Sequence, residues 1–158
     1  MRIGVISDSH GNIQALKAAL DAAGRVDAWL HAGDYFRDSQ WLAVNTGLPV
    51  YSVCGNCDFS KEGPLERVVE LAGARILLSH GHHYQVKYNL MRLALRALEL
   101  ECGAAVFGHT HVPTLERYGS VTLLNPGSAA EPRLGSRRGI AVMEIRDGII
   151  DVKMIPLK

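Results

Sequence analysis

Five short apolar runs in this sequence each end in a cluster of Asp, Asn or His side chains. Short β-branched runs that stop at turn residues are typical of buried strands. In open α/β sheets, sites form in the crevice beyond the carboxyl ends of the strands. Because the clusters span residues 8 to 111, only the fold can bring them together. Five clusters that contain only Asp, Asn and His are hard to explain as ordinary solvated loops. The clusters are Asp8/His10, Asp34, Asn56/Asp58, His80/His82 and His109/His111.

The apolar runs alternate with helical patterns over the first two thirds of the chain, which predicts a mixed α/β layered fold. The predicted strands there cover residues 3–6, 28–32, 49–53, 65–71, 75–79 and 105–107, and the predicted helices cover residues 13–23, 37–46 and 86–101. The last third is typical of antiparallel strands, at residues 114–118, 121–124, 139–145 and 149–155. With no linker or internal repeat, a single domain over residues 1–158 is expected.

Charge and hydropathy argue against several classes of partner. The net charge is +1, so no overall field favours stable binding of nucleic acid or of an anionic membrane surface. No apolar run approaches the roughly 20 residues of a membrane-spanning helix, and the N-terminus lacks a signal-peptide pattern, so we expect a cytoplasmic protein. The three cysteines are an odd number, which argues against a disulfide framework. Gly55-Asn56 between Cys54 and Cys57 argues against a redox helix.

Seven side chains in the polar clusters supply oxygen and imidazole donors for a metal. The set suits manganese, our first expectation, or iron, zinc or nickel, better than calcium, which prefers oxygen alone. Seven ligands exceed the needs of one tetrahedral ion and suit two divalent ions that share a bridging carboxylate. Two such ions, about 3.5–4 Å apart, clamp a phosphoryl group and activate a bridging water for in-line attack. The seven residues are Asp8, His10, Asp34, Asn56, His80, His109 and His111.

The order of these blocks resembles that of the calcineurin-like metallophosphoesterases. The matching blocks are Asp8-Ser9-His10, Gly33-Asp34, Gly55-Asn56, His80-Gly81 and Gly108-His109-Thr110-His111. The chain is most similar to the small bacterial and archaeal phosphodiesterase branch, through its short length and two further segments, Gly55-Asn56-Cys57-Asp58 and Asn125-Pro126-Gly127-Ser128. The resemblance implies a four-layer αββα sandwich, in which two mixed β-sheets are flanked by helices.

The resemblance also implies a role for each ligand. One metal would be bound by Asp8, His10 and His111, and the other by Asn56, His80 and His109. Asp34 would bridge the two ions, and Asn56 would also face the substrate phosphate.

The same resemblance implies a dinuclear metal-dependent phosphoesterase, a hydrolase in which a metal-bridging hydroxide attacks phosphorus. We expect phosphodiesterase activity, with a small phosphodiester or nucleotide as substrate. A phosphomonoesterase and a nucleotide or dinucleotide-polyphosphate hydrolase of the same fold remain alternatives. A non-catalytic scaffold similar to a retromer subunit is a further alternative, and the presence of the ligand His10 counts against it.

Position 57 departs from the family pattern. Many relatives carry His after Gly-Asn, where it is thought to protonate the leaving group or hold the phosphate, and this chain carries Cys57. A thiol, with an ordinary pKa near about 8.5, is a poor proton donor at neutral pH. Three interpretations stay open: His82 or His83 replaces that group, the substrates have good leaving groups, or turnover is slow.

The remaining polar candidates have less specific roles. Asp58 is expected to orient a ligand or a group on the phosphate side of the site. Asn125 and Ser128 are expected near the site, where they either donate to the substrate or orient ligands. His31 lies inside an apolar run and is expected in the core. The apolar helix around residues 90–98 leaves room for a homo-oligomer.

Overall fold

The computed structural model describes residues 1–59 and 62–158, which form three α-helices and ten strands. The helices are α1 (Ile13–Ala23), α2 (Phe36–Thr46) and α3 (Met91–Glu99). The strands are β1 (Arg2–Ile6), β2 (Ala28–His31), β3 (Val50–Ser52), β4 (Glu66–Leu71), β5 (Ala74–Ser79), β6 (Ala104–Val106), β7 (Thr114–Tyr118), β8 (Val121–Asn125), β9 (Gly139–Arg146) and β10 (Ile149–Pro156). Among the described residues, no helix is long and apolar enough to cross a membrane.

The strands form two mixed sheets of five strands each. The first sheet has the order β10-β9-β1-β2-β3, and the second has the order β4-β5-β6-β8-β7. In the first sheet β1, β2 and β3 are parallel, while β9 runs antiparallel to β1 and β10 antiparallel to β9. In the second sheet β5, β6 and β8 are parallel, and the edge strands β4 and β7 are antiparallel to their neighbours.

Three apolar clusters hold four layers together. The cluster between the two sheets includes Ile3 and Leu78. A second cluster, with Leu16 and Trp29, lies between the first sheet and helices α1 and α2. A third, with Leu93, lies between the second sheet and α3. The layers therefore follow the order helix, sheet, sheet, helix, which confirms the predicted αββα sandwich.

The central strands are recognisable in the sequence because both of their faces are buried. In β5, Ile76 and Leu78 belong to the cluster between the sheets, whereas Leu77 belongs to the cluster under α3. Such a strand is apolar on both faces and appears in the sequence as an unbroken apolar run. Each fully buried aliphatic side chain stabilises the fold by about 1.5–3 kcal/mol relative to an exposed one.

The prediction of an antiparallel final third is wrong in one respect. The pairs β7–β8 and β9–β10 are antiparallel hairpins, but they belong to different sheets, and β8 is parallel to β6. In β8 every residue except Thr122 is buried, as expected of a strand with a neighbour on each side. Turn residues predict a hairpin partner, but they carry no information about the neighbour on the other side.

The helix predicted over residues 86–101 is shorter than expected. A short 3₁₀ turn covers His82–Tyr84, Gln85 has a φ of 55°, and α3 begins only at Met91. The Asn89 side chain accepts a hydrogen bond from the Met91 N–H at 3.1 Å, which satisfies a donor at the start of the helix. The sequence pattern, which is rich in Leu, Ala and Arg, therefore predicts the helix but not the residue at which it begins.

Candidate metal centre

The loops that follow five strands meet at one edge of the sandwich. In the first sheet, β1, β2 and β3 lead into the segments that carry Asp8, Asp34 and Asn56. In the second sheet, β5 and β6 lead into those that carry His80 and His109. The candidate centre therefore lies across the seam between the two sheets, and each sheet contributes ligands to it.

The first group of donor atoms contains two carboxylates and two imidazoles. One ligand atom from each of its four residues lies within 4.8 Å of the others. His111 Nε2 is 3.1 Å from Asp8 Oδ1 and 3.3 Å from His10 Nε2. His10 Nε2 in turn is 3.7 Å from Asp34 Oδ2. These are the three residues assigned to one metal, together with the predicted bridging residue Asp34.

The second group of donor atoms surrounds the imidazole of His80. Its Nε2 lies 3.1 Å from Asn56 Oδ1 and 3.3 Å from Asp34 Oδ1. The His109 ring is next to it, with 5.1 Å between the ring centroids. Asp34 therefore directs Oδ2 toward the first group and Oδ1 toward the second, as a bridging carboxylate requires.

Hydrogen bonds to backbone carbonyls orient two of the imidazoles. His80 Nδ1 donates to the Ala32 carbonyl at 2.8 Å, and His111 Nδ1 donates to the Glu131 carbonyl at 2.5 Å. A proton on Nδ1 leaves the lone pair of Nε2 directed at a carboxylate oxygen. Lone pairs that face anionic oxygens at these distances repel each other unless a cation lies between them. The donor set therefore fits divalent metal ions held by imidazoles that backbone carbonyls orient.

The pKa shifts of Asp8 and His111 also indicate that this site favours positive charge. Burial raises the pKa of Asp8, but its hydrogen bond with His111 and the charge of His80 bring that pKa below its usual value. Burial lowers the pKa of His111, but the hydrogen bond and charge of Asp8 raise it above its usual value. Both shifts favour a positive charge between the Asp8 carboxylate and the His111 imidazole, and a proton supplies that charge when no metal ion is bound.

Backbone strain is concentrated at this centre. Outside glycine, a positive φ is uncommon, and for bulky side chains it is a genuine outlier. Five of the seven predicted ligands have one, as does the residue that follows Asp34. Such residues cost about 1–3 kcal/mol each and persist where surrounding structure enforces them, often at functional sites. They are Asp8 (52°), His10 (49°), Asp34 (57°), Tyr35 (70°), His109 (68°) and His111 (61°).

Comparison with known proteins identifies the family. The calcineurin-like phosphoesterase superfamily domain matches residues 1–148. The chain belongs to this superfamily. It is 35% identical to a probable metallophosphoesterase of Methanothermobacter thermautotrophicus, over 98% of this chain and 92% of that protein. It is 27% identical to the phosphodiesterase YfcE of Escherichia coli K12, over 91% of this chain and 88% of that protein.

Solved structures share the fold as well. A predicted phosphoesterase from Streptococcus pneumoniae TIGR4 superimposes with a TM-score of 0.83 at 34% identity, over 98% of this chain and 88% of that one. A Vps29 from Entamoeba histolytica, crystallised with zinc, has a TM-score of 0.76 at 21% identity over the whole of both chains. The second likeness shows the fold alone. The phosphoesterase relatives and the Asp/His cluster together support a metal-dependent phosphoesterase.

Two glycines of the phosphoesterase motifs make room for the ligands. A Cβ atom on Gly55 would overlap Asp34 Oδ1, and a Cβ atom on Gly108 would overlap Ser7 Oγ. Neither glycine has a positive φ, so space rather than backbone conformation requires them. Close approach of these loops brings Asp34 and Asp8 within reach of both donor groups.

Asn125 and Ser128 support the ligand loops from the inside. Both are fully buried. Asn125 Nδ2 donates to the Gly108 carbonyl at 2.8 Å, and Ser128 Oγ donates to the Asp8 carbonyl at 2.7 Å. Of the two roles expected for these residues, orientation of the ligand loops agrees with the structure. Direct contact with the substrate does not, because their polar atoms are bonded inside the protein.

Asp58 connects two loops instead of orienting a ligand side chain. Its Oδ1 accepts from the Phe36 N–H at 2.7 Å, and its Oδ2 accepts from the Gly55 N–H at 2.8 Å. Both carboxylate oxygens are therefore engaged with backbone N–H groups, and the expected role of Asp58 on the phosphate side of the site stays a prediction. Asp58 ties the loop after β2 to the loop after β3 and so supports Asp34 and Asn56.

The candidates for a proton donor lie at the rim. His82 stacks on the exposed His83, with 4.0 Å between ring centroids, and lies 5.4 Å from the His80 ring. Burial, then the charges of His83 and His80, lower the pKa of His82 to about 4. Burial and the charge of Asp34 raise the pKa of Cys57 to about 11. His82 is therefore near the site, as expected, but its lowered pKa disfavours the charged imidazolium that would serve as a proton donor at neutral pH.

Sequence reasoning missed two contributors. Tyr35 follows the ligand Asp34, and its ring lies 6.0 Å from the His10 ring. The buried His31 hydrogen-bonds Ser9 Oγ at 2.9 Å and accepts from the Gly33 N–H, so this core histidine also supports two ligand loops. A signal for Tyr35 existed, because the position before a helix usually carries Ser, Thr, Asp, Asn or Gly. His31 gave none, since its partners are set by the fold.

Proposed function

We propose that this chain is a phosphodiesterase that works with two divalent metal ions. The observation that supports the proposal most strongly is the arrangement around Asp34. Its two oxygens lie 3.7 Å from His10 Nε2 and 3.3 Å from His80 Nε2, so one carboxylate serves two donor groups. Two groups that share a carboxylate match the two-metal sites of phosphoryl-transfer enzymes.

The residues of each group define where the ions bind in this proposal. Asp8, His10, Asp34 and His111 would hold one ion, and Asp34, Asn56, His80 and His109 would hold the other. When bound, two such ions would supply Lewis acidity to the phosphoryl group and would activate a water for attack. Manganese is the first candidate, and the same donors accept iron, zinc or nickel.

The chain itself positions the phosphate and the ligands. Asn56 is exposed at the edge of the cluster, and its Oδ1 faces His80 while its Nδ2 faces Cys57 Sγ at 3.6 Å. If Oδ1 held a metal ion, the N–H groups of this amide would remain available to a phosphate oxygen. Burial and the charge of His80 lower the pKa of His109 to about 4, so its imidazole is neutral and able to act as a ligand at neutral pH.

The likeness to the phosphodiesterase YfcE supports a diester over a monoester as substrate. Because Cys57 stands where many relatives carry His, we expect diesters with good leaving groups to react fastest.

Hydrolysis of bis(p-nitrophenyl) phosphate with manganese tests the proposal. We expect turnover that is lost on chelation and restored by the metal. The Asp34→Asn variant should lose at least about 100-fold in kcat/KM, because the bridging charge stabilises both ions and the transition state. Equal turnover by wild type and variant would contradict the proposal. Faster hydrolysis of p-nitrophenyl phosphate than of the diester would favour the phosphomonoesterase alternative.

A folded, inactive wild-type protein would favour the scaffold alternative. Circular dichroism of the same samples establishes folding, and metal analysis of the purified chain establishes how many ions it binds. A ratio near two ions per chain supports the dinuclear centre. The predicted homo-oligomer stays a prediction, and gel filtration of these samples measures it.

A further inference from the structure

A cavity of about 190 Å³ lies beside the metal centre, between the loop after β2 and the loop after β3. Two neighbours connect it to the ligands. Cys57 in its wall follows the ligand Asn56, and the Tyr35 ring lies 6.0 Å from the ring of the ligand His10. A substituent on a phosphate held at the centre would therefore enter this cavity. Its lining residues are Tyr35, Arg37, Cys57, Asp58, Phe59 and Glu62.

Tyr35 is unusual for its position in two respects. It has a φ of 70°, which is unusual for a bulky residue, and it precedes α2 without forming a side-chain cap. Its ring nonetheless has a defined place, because a Cβ atom on Gly11 would lie 3.0 Å from it. Tyr35 is 44% exposed, so burial of the ring does not explain the cost of this conformation.

The cap of α2 comes from another loop. Asp58 Oδ1 accepts from the Phe36 N–H at 2.7 Å, which places a negative charge at the helix N-terminus, where it is stabilising. The helix therefore does not need a capping side chain at position 35. Since neither capping nor burial accounts for a tyrosine at this position, its ring is available for another contact.

The rest of the cavity suits an uncharged planar group. Phe59 is 77% exposed in its wall, so a second aromatic side chain is available for contact. Among the described residues that line the cavity, Arg37 is the one cation, and its Nε is paired with Glu62 Oε1 at 3.2 Å, while the Asp58 carboxylate accepts from backbone N–H groups. The volume is below the 300–1,000 Å³ typical of pockets for whole ligands, and it fits one substituent.

We propose that Tyr35 and Phe59 form a subsite for a planar aromatic substituent of the substrate, such as a nucleobase. The subsite rests on the proposed function, because the phosphate must be held at the metal centre for the substituent to reach it. Bases that stack on aromatic side chains gain about fivefold to a hundredfold in affinity per base. The subsite thereby selects aryl or nucleoside esters over alkyl or sugar esters.

Calorimetry on the manganese-loaded protein tests the subsite through binding. The probes are adenosine 5′-monophosphate, ribose 5-phosphate and inorganic phosphate. We expect the first to bind at least about fivefold more tightly than the second, because they share the sugar phosphate and differ in the base. In Tyr35→Asn and Phe59→Ala this difference should fall below about twofold. The control Tyr118→Ala removes an exposed aromatic ring at the start of the β7–β8 turn and should retain it.

A stability measurement separates this role from a structural one. Asn tolerates a positive φ and is a preferred residue before a helix, so metal-free Tyr35→Asn should melt at the same temperature as wild type or higher. A residue kept for packing would lower the melting temperature when replaced. Loss of base discrimination without loss of stability is therefore the signature of the subsite.

The two proposals fail in different ways. Equal affinity of wild type for the nucleotide and the sugar phosphate, or unchanged discrimination in both variants, overturns the subsite and leaves the phosphodiesterase intact. If inorganic phosphate does not bind, the proposed function is in doubt, and adenosine alone then decides the subsite. Saturation-transfer NMR should detect adenosine at millimolar concentration in wild type and not in the two variants. Absence of that signal in wild type overturns the subsite.

Discussion

Both ends of the sandwich contain turns whose residues have a positive φ, but the types of residue in these turns differ between the ends. At the end away from the metal centre, the hairpin turns place Gly73, Gly119 and Gly148 at positive φ, with Ala72 and Asp147 beside them. At the metal centre Gly11, Gly33 and Gly81 have a positive φ too, but Asp, His and Tyr residues hold six further positions there. Glycine adopts it freely, whereas other L-residues pay about 1–2 kcal/mol.

The difference shows where this fold stores strain. The glycine turns serve connection alone, while the strained ligands direct side chains at one another across the seam. The metal-centre end also carries buried carboxylate oxygens and imidazole nitrogens so close together that a cation, either a proton or a metal ion, must lie between them. Without a metal ion that end should be the less stable one, and the comparison can be tested from both sides.

Binding of metal should have the largest effect. Manganese at about 100 times its Kd stabilises a folded protein by about 2.7 kcal/mol through mass action, and it should suppress local openings at the metal-centre end alone. Hydrogen exchange should show new protection at residues 7–12 and 108–112 and none at 147–149. The Asp34→Asn variant serves as control and should show a much smaller shift in melting temperature. Equal protection at both ends would contradict the comparison.

An intermediate effect is expected at the glycine end. Gly148 has a φ of 80°, and a Cβ atom there would lie 3.0 Å from the Gly73 carbonyl oxygen. Gly148→Ala should therefore lower the free energy of unfolding by about 1–2 kcal/mol, measured by urea denaturation. Its kcat/KM with metal should match wild type, because the turn lies at the other end of the strands. A loss of activity in a fully folded Gly148→Ala variant would mean that the two ends of the sandwich are coupled.

The smallest expected effect is the difference in stability between two replacements of the ligand His10. His10→Gly and His10→Ala both remove the imidazole, so both should lose activity. At a φ of 49° the glycine variant should be the more stable of the two, by about 0.5–1 kcal/mol, which reverses the usual order of Ala and Gly. Urea denaturation of the two metal-free variants measures the difference. A more stable alanine variant would show that position 10 is not strained.

The parts of this structure that the sequence predicts are those with a local signal. Strands such as β5 are apolar on both faces, and the polar residues that follow them mark where they end. The parallel partner of β8 and the support that Ser128 gives to Asp8 have no local signal. Ser128 and Asp8 are separated by 120 residues, and their hydrogen bond exists only once both sheets have formed.

Asp58 illustrates the same limit at closer range. Its place in the motif predicts a role beside the phosphate, but its carboxylate bonds to the Phe36 and Gly55 N–H groups. Both donors belong to backbone, which any residue type supplies, so no sequence pattern marks them. Tyr35 carries a weak sequence signal, as an unusual residue before a helix, but its positive φ is visible only in the structure.

Gly55 and Gly108 show what a substitution scan of this protein would report. Neither glycine has a side chain that could bind a metal ion, yet any side chain at either position would occupy the space of Asp34 Oδ1 or Ser7 Oγ. Such a scan would therefore rank both glycines with the metal ligands. Intolerance to replacement at these positions measures missing volume and not chemical participation, and only the neighbouring atoms distinguish the two.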